Sequence, residues 1–549
     1  MARIKKILAN DFYFLVFISL VVIIIMEAPV VYGALINDKN HYYTGLNTIA
    51  VIDGPVYLSY LEQVKAGHFL FEDLFNSNDN FKFLNPFWLA VGWLGKIFNL
   101  ASPLTLQIFR IILIPFFLFS LFKIISLLFE EDKIKKKICF IFSLIISGFG
   151  IFIYPLILVG NAKPNLDVVP IDLWAYEANN FMILRYYPHV LLATSLIFLI
   201  FYYFYQAMAK KSYKKSIWAG ILSLILFSFH PFQIPLIYAI TGVYVLVLII
   251  INKKIDFKTL KIYGLFFLIS LASVIYYLYQ LLANKNIFLK AQQNTNWAPS
   301  PFLFILSFGL GLILALYYIF YLFKNKKFSQ AQIFLTIWFL TNIILIYLPW
   351  LNFQRRMLGG FMAPLSILAF ACLLLISHQL KELGKATKLF LIMVLFFFIS
   401  LTNWFVYNQD FKFLEQATLG KVEHSDLVYV DNDIKAALDW YKKAAVDSDI
   451  ILASYERGNL IPGLTGKKVY LGHPIETVGF KEKRAEMEYF FSFDVFNPEK
   501  IEFLKQNKIT YIFYSDFEKK LGAYDPATKP YLQSVYKNNE VEIYKVNLD

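Results

Sequence analysis

Eleven apolar stretches of this chain, most of them about twenty residues long and one, 217–229, only about 13, limit the folds open to it. A helix of about 20 apolar residues crosses the roughly 30 Å hydrocarbon core of a bilayer. The stretches are 12–32, 104–129, 138–159, 189–209, 217–229, 232–251, 262–283, 301–323, 330–349, 358–377 and 389–407. They do not alternate apolar with polar residues, as the strands of an outer-membrane barrel do. The sequence therefore predicts an α-helical polytopic membrane bundle. Composition agrees, with 58% hydrophobic and 17% charged residues.

A net charge of +13 would suit a nucleic-acid partner, but the placement of the charges argues for a membrane instead. "RIKK" at the start, "KIKKK" (133–137), "KKSYKK" (210–215), "NKKIDFKTLK" (252–261), "KNKK" (324–327) and Lys381, Lys385 and Lys388 all fall between alternate spans. The positive-inside rule then puts the N-terminus in the cytoplasm and, after eleven crossings, the tail from 408 outside. The expected location is the plasma membrane, with no nucleic-acid partner. The first apolar stretch exceeds a signal peptide's usual core of 7–15 residues, so it reads as an uncleaved anchor. The only cysteines, Cys139 and Cys372, lie inside predicted spans and offer neither a disulfide framework nor a thiolate metal site.

Two domains are predicted. Residues 1–407 form the transmembrane domain, including a first external loop at 33–103. That loop holds two apolar segments too short to cross, "PVYLSYLEQV" (55–64) and "NPFWLAVGWLGKIFNL" (85–100), which read as juxtamembrane helices in the interface. Residues 408–549 turn charged and mixed. Strand-like runs at 449–454, 467–472, 509–515 and 541–546 are interleaved with helix-like runs at 433–446, 481–493 and 498–507, which predicts an extracytoplasmic α/β domain.

Asp53, in "IDGPVYLSYLEQVKAG", stands at the membrane's outer lip. As a helix N-cap followed by Pro55 it would need no chemistry. As a carboxylate already ionised at neutral pH it could accept a proton from an attacking hydroxyl, and the two roles are compatible. External arginines run against the positive-inside bias, yet "FQRRML" pairs Arg355 with Arg356 beside Gln354. They suit interfacial anchoring or a phosphate clamp, since a guanidinium forks onto phosphate oxygens. Arg185, with His189 four residues on, and Lys163 are further phosphate candidates. His230, in the short span's end "FHPFQIP", suits a polar substrate or a helix end. Glu177 precedes Arg185 by eight residues and is the best placed of the external acids; Glu62, Asp73, Asp79, Asp167 and Asp172 read as solvated loop charges. No His/Asp spacing is diagnostic of a metal. "GLTGKK" (463–468) lacks the first glycine and the Ser/Thr of a phosphate-binding loop.

The layout of one span, a long acidic external loop, juxtamembrane helices, a bundle and an external α/β domain resembles the GT-C membrane glycosyltransferases. "IDGPVYLSYLEQVKAG" is similar to their first-loop acidic motif, and "FQRRMLGGFMAPLSILA" and "IPGLTGKKVYLGHPIETVGFKEKRAEMEYFF" are similar to segments of bacterial members. The resemblance implies transfer of a sugar from a polyprenyl-phosphate carrier to a glycan, lipid or protein acceptor at the extracytoplasmic face. It makes Asp53 the general base, with inversion at the sugar carbon, and Arg355 and Arg356 the holders of the carrier phosphate. His473 and Glu476, in "GHPIET", would line the site or simply shape a turn. Gly54 follows Asp53 where many members have a second acid, which weighs against a metal-dependent reading; a divalent cation is compatible with the chemistry but not indicated. The rival expectations are a lipid-linked sugar transporter or flippase, for which Glu27 and Arg110 are the notable in-span charges, and a non-catalytic scaffold with an external binding domain.

Overall fold

A computed structural model describes residues 10–77, 79–160, 168–379, 384–494 and 497–548. Among them, eight helical segments, some of them interrupted, are long and apolar enough to cross a membrane: Asp11–Ile36, Ser102–Phe129, Lys133–Pro155, Pro188–Ala209, Pro231–Asn252, Phe257–Ala283, Pro301–Asn325 and Ala386–Thr418. Gln330–Ile346 and Met362–His378 are apolar but shorter. Tyr213–Phe229, 17 residues long, occupies the remaining predicted position.

The chain divides into two compact units. The first comprises Met1–Glu27, Arg110–Tyr279 and Thr295–Gln409; the second comprises Ala28–Phe109, Gln280–Asn294 and Asp410–Asp549. The first long loop thus folds in one unit with the C-terminal residues.

In the first unit, the span predicted at 138–159 is not one helix. It breaks between Lys133–Ile145 and Gly150–Gly160. Helix Pro301–Asn325 breaks too, at Gly309, whose φ of 48° and ψ of −133° suit glycine. The two breaks meet. Phe149 N–H donates to Leu306 O at 2.7 Å, and Ser147 N–H to Ile399 O at 2.8 Å. A Cβ on Gly148 would stand 2.2 Å from Ser307 O, so only glycine allows this approach. Backbone freed from helical bonding in hydrocarbon must find partners inside the protein, and the bond from Phe149 to Leu306 satisfies one group of each break. Side chains complete the account: Asp172 Oδ2 accepts from Gly150 N–H at 3.1 Å, and Thr402 Oγ1 donates to Gly148 O at 3.1 Å.

In the second unit, β1 (His41–Tyr43) pairs antiparallel with β2 (Tyr429–Asp431), joining the first loop to the C-terminal residues. A five-stranded sheet has the order β4-β3-β5-β7-β6, from Ile450–Leu452 (β3), Lys468–Val469 (β4), Tyr511–Tyr514 (β5), Leu532–Lys537 (β6) and Glu542–Val546 (β7). β3 runs parallel to β4 and β5, while β7 is antiparallel to β5 and β6. Leu452, Tyr470, Phe490, Phe491, Ile512 and Tyr544 are among the buried side chains that close its core. The sequence reading missed helix Tyr455–Thr465, whose "YERGNLIPGLT" carries Gly458, Pro462 and Gly463, and strand β6, whose side chains are half exposed.

Asp172 is fully buried in the first unit, and burial raises its carboxyl from 3.8 to about 7. A carboxyl raised in this way favours the fold while protonated. The contribution is complete below about pH 4 and is lost as pH rises through about 7. Asp172→Asn should therefore flatten the pH dependence of thermal unfolding across that window, measured in detergent.

Candidate functional site

Asp53 occupies the predicted N-cap position of helix Gly54–Ala66, but its side chain does not cap. Residue Pro55 takes the N2 place and has no N–H to offer. The backbone at Asp53 is already helical, at φ −76° and ψ −21°, whereas a capping residue sits in the β region. The carboxylate turns instead to His473, with Oδ1 3.1 Å from Nε2. Its side chain stays 27% exposed while that of His473 is 4% exposed, so the acid is reachable and its partner is walled in.

The turn carrying His473 is anchored within the same unit. Gly458 lets it close on helix Tyr455–Thr465, because a Cβ there would lie 1.9 Å from Leu471 O. Thr477 Oγ1 accepts from Gly472 N–H at 3.1 Å and donates to Phe75 O at 3.0 Å. Glu476 pairs with Lys290, which also meets Asp73 at 2.9 Å. Burial alone would depress Lys290, but Asp73 and Glu476 hold it well above the usual lysine value. Glu476 is therefore engaged in an ion pair. Asn459 Nδ2 donates to Ile52 O at 3.2 Å, securing the backbone just before Asp53.

A second cluster lies in the first unit. Glu177, buried, faces both members of the arginine pair: Oε2 is 3.3 Å from Arg355 Nε and Oε1 3.0 Å from Arg356 Nη1. Burial raises the Glu177 carboxyl, and Arg355 opposes that. Arg355 also donates to Asn296 Oδ1 at 2.9 Å and lies over Trp174, 4.4 Å from the ring centre. Arg356 lies 5.2 Å from the Tyr176 ring centre. Two guanidiniums on one carboxylate leave a positive excess, the electrostatics a phosphate would need. A cavity of about 580 Å³ opens at Arg355 and is lined also by Trp174, Asn296, Trp297, Ile171 and Leu303.

Other predicted residues have more local duties. Gln354 braces its own loop, accepting from Ala298 N–H at 2.9 Å and donating to Leu348 O at 3.0 Å. His230 and His189 have ring centroids 6.1 Å apart. His230 lines a small cavity of about 20 Å³ with Glu177, Gln233 and Arg356, and burial pushes it down to about 4, so the ring is neutral at pH 7. Arg185 is buried beside the paired rings of Phe181 and Tyr407, 5.8 Å and 5.9 Å from their centres. Lys163 and Asp167 lie outside the described residues.

One expectation is overturned. Glu62, Asp73, Asp79 and Asp172, read from sequence as solvated loop charges, are all buried. Each has a partner that spacing could not announce: Ser102 and Lys442 for Glu62, Lys290 for Asp73, Asn284 for Asp79 and the Gly150 amide for Asp172. Among the described residues, no three His, Cys, Asp or Glu side chains converge to hold a metal ion.

No family model matches the chain, and no curated protein matches it by sequence. Solved structures do match. An oligosaccharyltransferase from Archaeoglobus fulgidus, captured with a tethered acceptor peptide containing the NVT sequon, is 13% identical with a TM-score of 0.51, over 91% of this chain and 69% of that one. The arabinofuranosyltransferase AftD from mycobacteria is 9% identical with a TM-score of 0.52, over 98% of this chain and 42% of that one. Both are GT-C membrane glycosyltransferases, and the fold of this chain is theirs.

Glu177→Gln would replace a buried carboxylate by a neutral amide and leave two partly buried guanidiniums without their counter-charge. Removing one partner of a buried ion pair costs about 3–5 kcal/mol. The variant should unfold at a clearly lower temperature than wild type in a detergent melting assay, and a wild-type midpoint would refute the account of this cluster.

Proposed function

We propose that the chain is a membrane glycosyltransferase that moves a sugar from a polyprenyl-phosphate carrier to an acceptor hydroxyl at the extracytoplasmic face. The observation that carries this reading is the Asp53 carboxylate: not capping its helix, bonded to His473 and still accessible, on a chain with the GT-C fold. In the proposed reaction, Asp53 takes the proton of the acceptor hydroxyl as its oxygen bonds to the anomeric carbon. The bond from that carbon to the carrier phosphate breaks, and the phosphate leaves with the electron pair. It needs no general acid, because it is stable as an anion. Displacement from the opposite face inverts the sugar carbon.

Departing negative charge calls for fixed cations, the largest single kind of help that such sites give. Arg355 and Arg356 are assigned that role. Their excess charge and the cavity at Arg355 support it. The placement of basic residues supports a cytoplasmic N-terminus. Glu27 and Arg110, the in-span charges that a transporter would use, are bonded to each other at 2.7 Å, which favours surface chemistry over transport.

General-base catalysis contributes about 10²–10⁴-fold. Asp53→Asn, purified and given a panel of polyprenyl-phosphate sugars with candidate acceptors, should lose transfer by that factor while still binding donor. Mass spectrometry of the acceptors reads the product. Wild-type transfer by the variant would remove Asp53 from the reaction, and lipid movement without transfer in wild type would favour a flippase.

A further inference from the structure

Resting on the reading of Asp53 as the base, we propose that His473 is its positioning residue, held as the neutral Nε2–H tautomer by two backbone amides. Nδ1 accepts from Ile475 N–H at 3.2 Å and from Glu476 N–H at 3.3 Å. A ring nitrogen that accepts carries no proton, so the neutral imidazole's single proton sits on Nε2. That nitrogen is 3.1 Å from Asp53 Oδ1 and donates to it.

The local sequence builds this arrangement. Pro474 follows the histidine and has no N–H, so the next two amides are those of Ile475 and Glu476. Both are held in place. Gln293 Nε2 donates to Ile475 O at 2.5 Å and to Thr477 O at 3.1 Å, and Lys290 grips the Glu476 carboxylate. Phe75 meets the imidazole edge-on, 6.3 Å between ring centres. The ring can neither rotate nor swap tautomers without breaking these bonds.

The consequence is a division of labour. Nδ1 cannot receive a proton unless it surrenders both amides, so His473 does not relay one onward. The proton taken from the acceptor remains on Asp53. His473 acts through the carboxylate, pinning Oδ1 and so setting the direction of the other oxygen. Misplacing a reacting group by about 1 Å can cost 10²-fold in rate, which is the scale of effect available to such a residue.

Two conservative variants separate positioning from a purely structural role. Asparagine places an acceptor near the Nδ1 position and keeps the turn, but it does not reach Asp53. Glutamine carries an N–H donor out to the Nε2 position. His473→Asn should melt at the wild-type temperature yet lose kcat by about 10–100-fold with little change in donor KM. His473→Gln should recover most of that loss. ¹⁵N-histidine NMR of the full chain in detergent, with the resonance assigned through His473→Gln, should show the neutral Nε2–H tautomer at pH 7.5. Wild-type kcat in His473→Asn beside an inactive Asp53→Asn would overturn the positioning role and leave the base reading intact. Full activity in Asp53→Asn would overturn the base reading and, with it, this inference. An imidazolium or Nδ1–H spectrum overturns the tautomer whatever the activity.

Discussion

Backbone amides in hydrocarbon have no water to turn to, and the first unit is arranged around that constraint. Two of its helices are interrupted, one after Ile145 and one at Gly309. Either break alone would leave unpaired N–H and C=O groups at a cost of several kcal/mol each. Together they are tolerable, because Phe149 bonds to Leu306 and the glycine at 148 lets the two chains touch. The same region consumes the hydroxyl of Thr402 and the carboxyl of Asp172.

A related economy governs the charges. Five acids that stand in polar loops by sequence are buried in the fold: Glu62, Asp73, Asp79, Asp172 and Glu177. A buried carboxylate is costly unless something answers it. Lys442 and Ser102 answer Glu62, Asn284 answers Asp79, Lys290 answers Asp73, and the arginine pair answers Glu177. Asp53 departs from this pattern. It is bonded to the buried His473 and keeps about a quarter of its side chain in the open, which suits a group that must meet a substrate.

Much of this was legible in the sequence, for identifiable reasons. A run of apolar residues long enough to cross a bilayer is a local property, so the helices lie close to the predicted ranges. Strands β3, β5 and β7 were legible from their apolar, β-branched and aromatic residues. Helix Tyr455–Thr465 was not, because its glycines and proline argue locally for a turn and only packing makes them useful. Asp53 drew attention through its position beside Gly54-Pro55, but the partner expected of it was the helix's own amides. The actual partner lies 420 residues further along the chain. Glu177 drew attention by standing eight residues before Arg185, and the fold sets it against Arg355 and Arg356 from far downstream.

What the sequence by itself determined is the solvent this chain folds in, the run of its helices and the residue types available for chemistry, since hydropathy and charge placement act over short ranges. What only the tertiary structure decided is which of those residues are spent on one another. Burial and pairing are set by contacts between distant segments. It took the closing of the 473–477 turn against Asp53 to distinguish a helix cap from a held, accessible carboxylate.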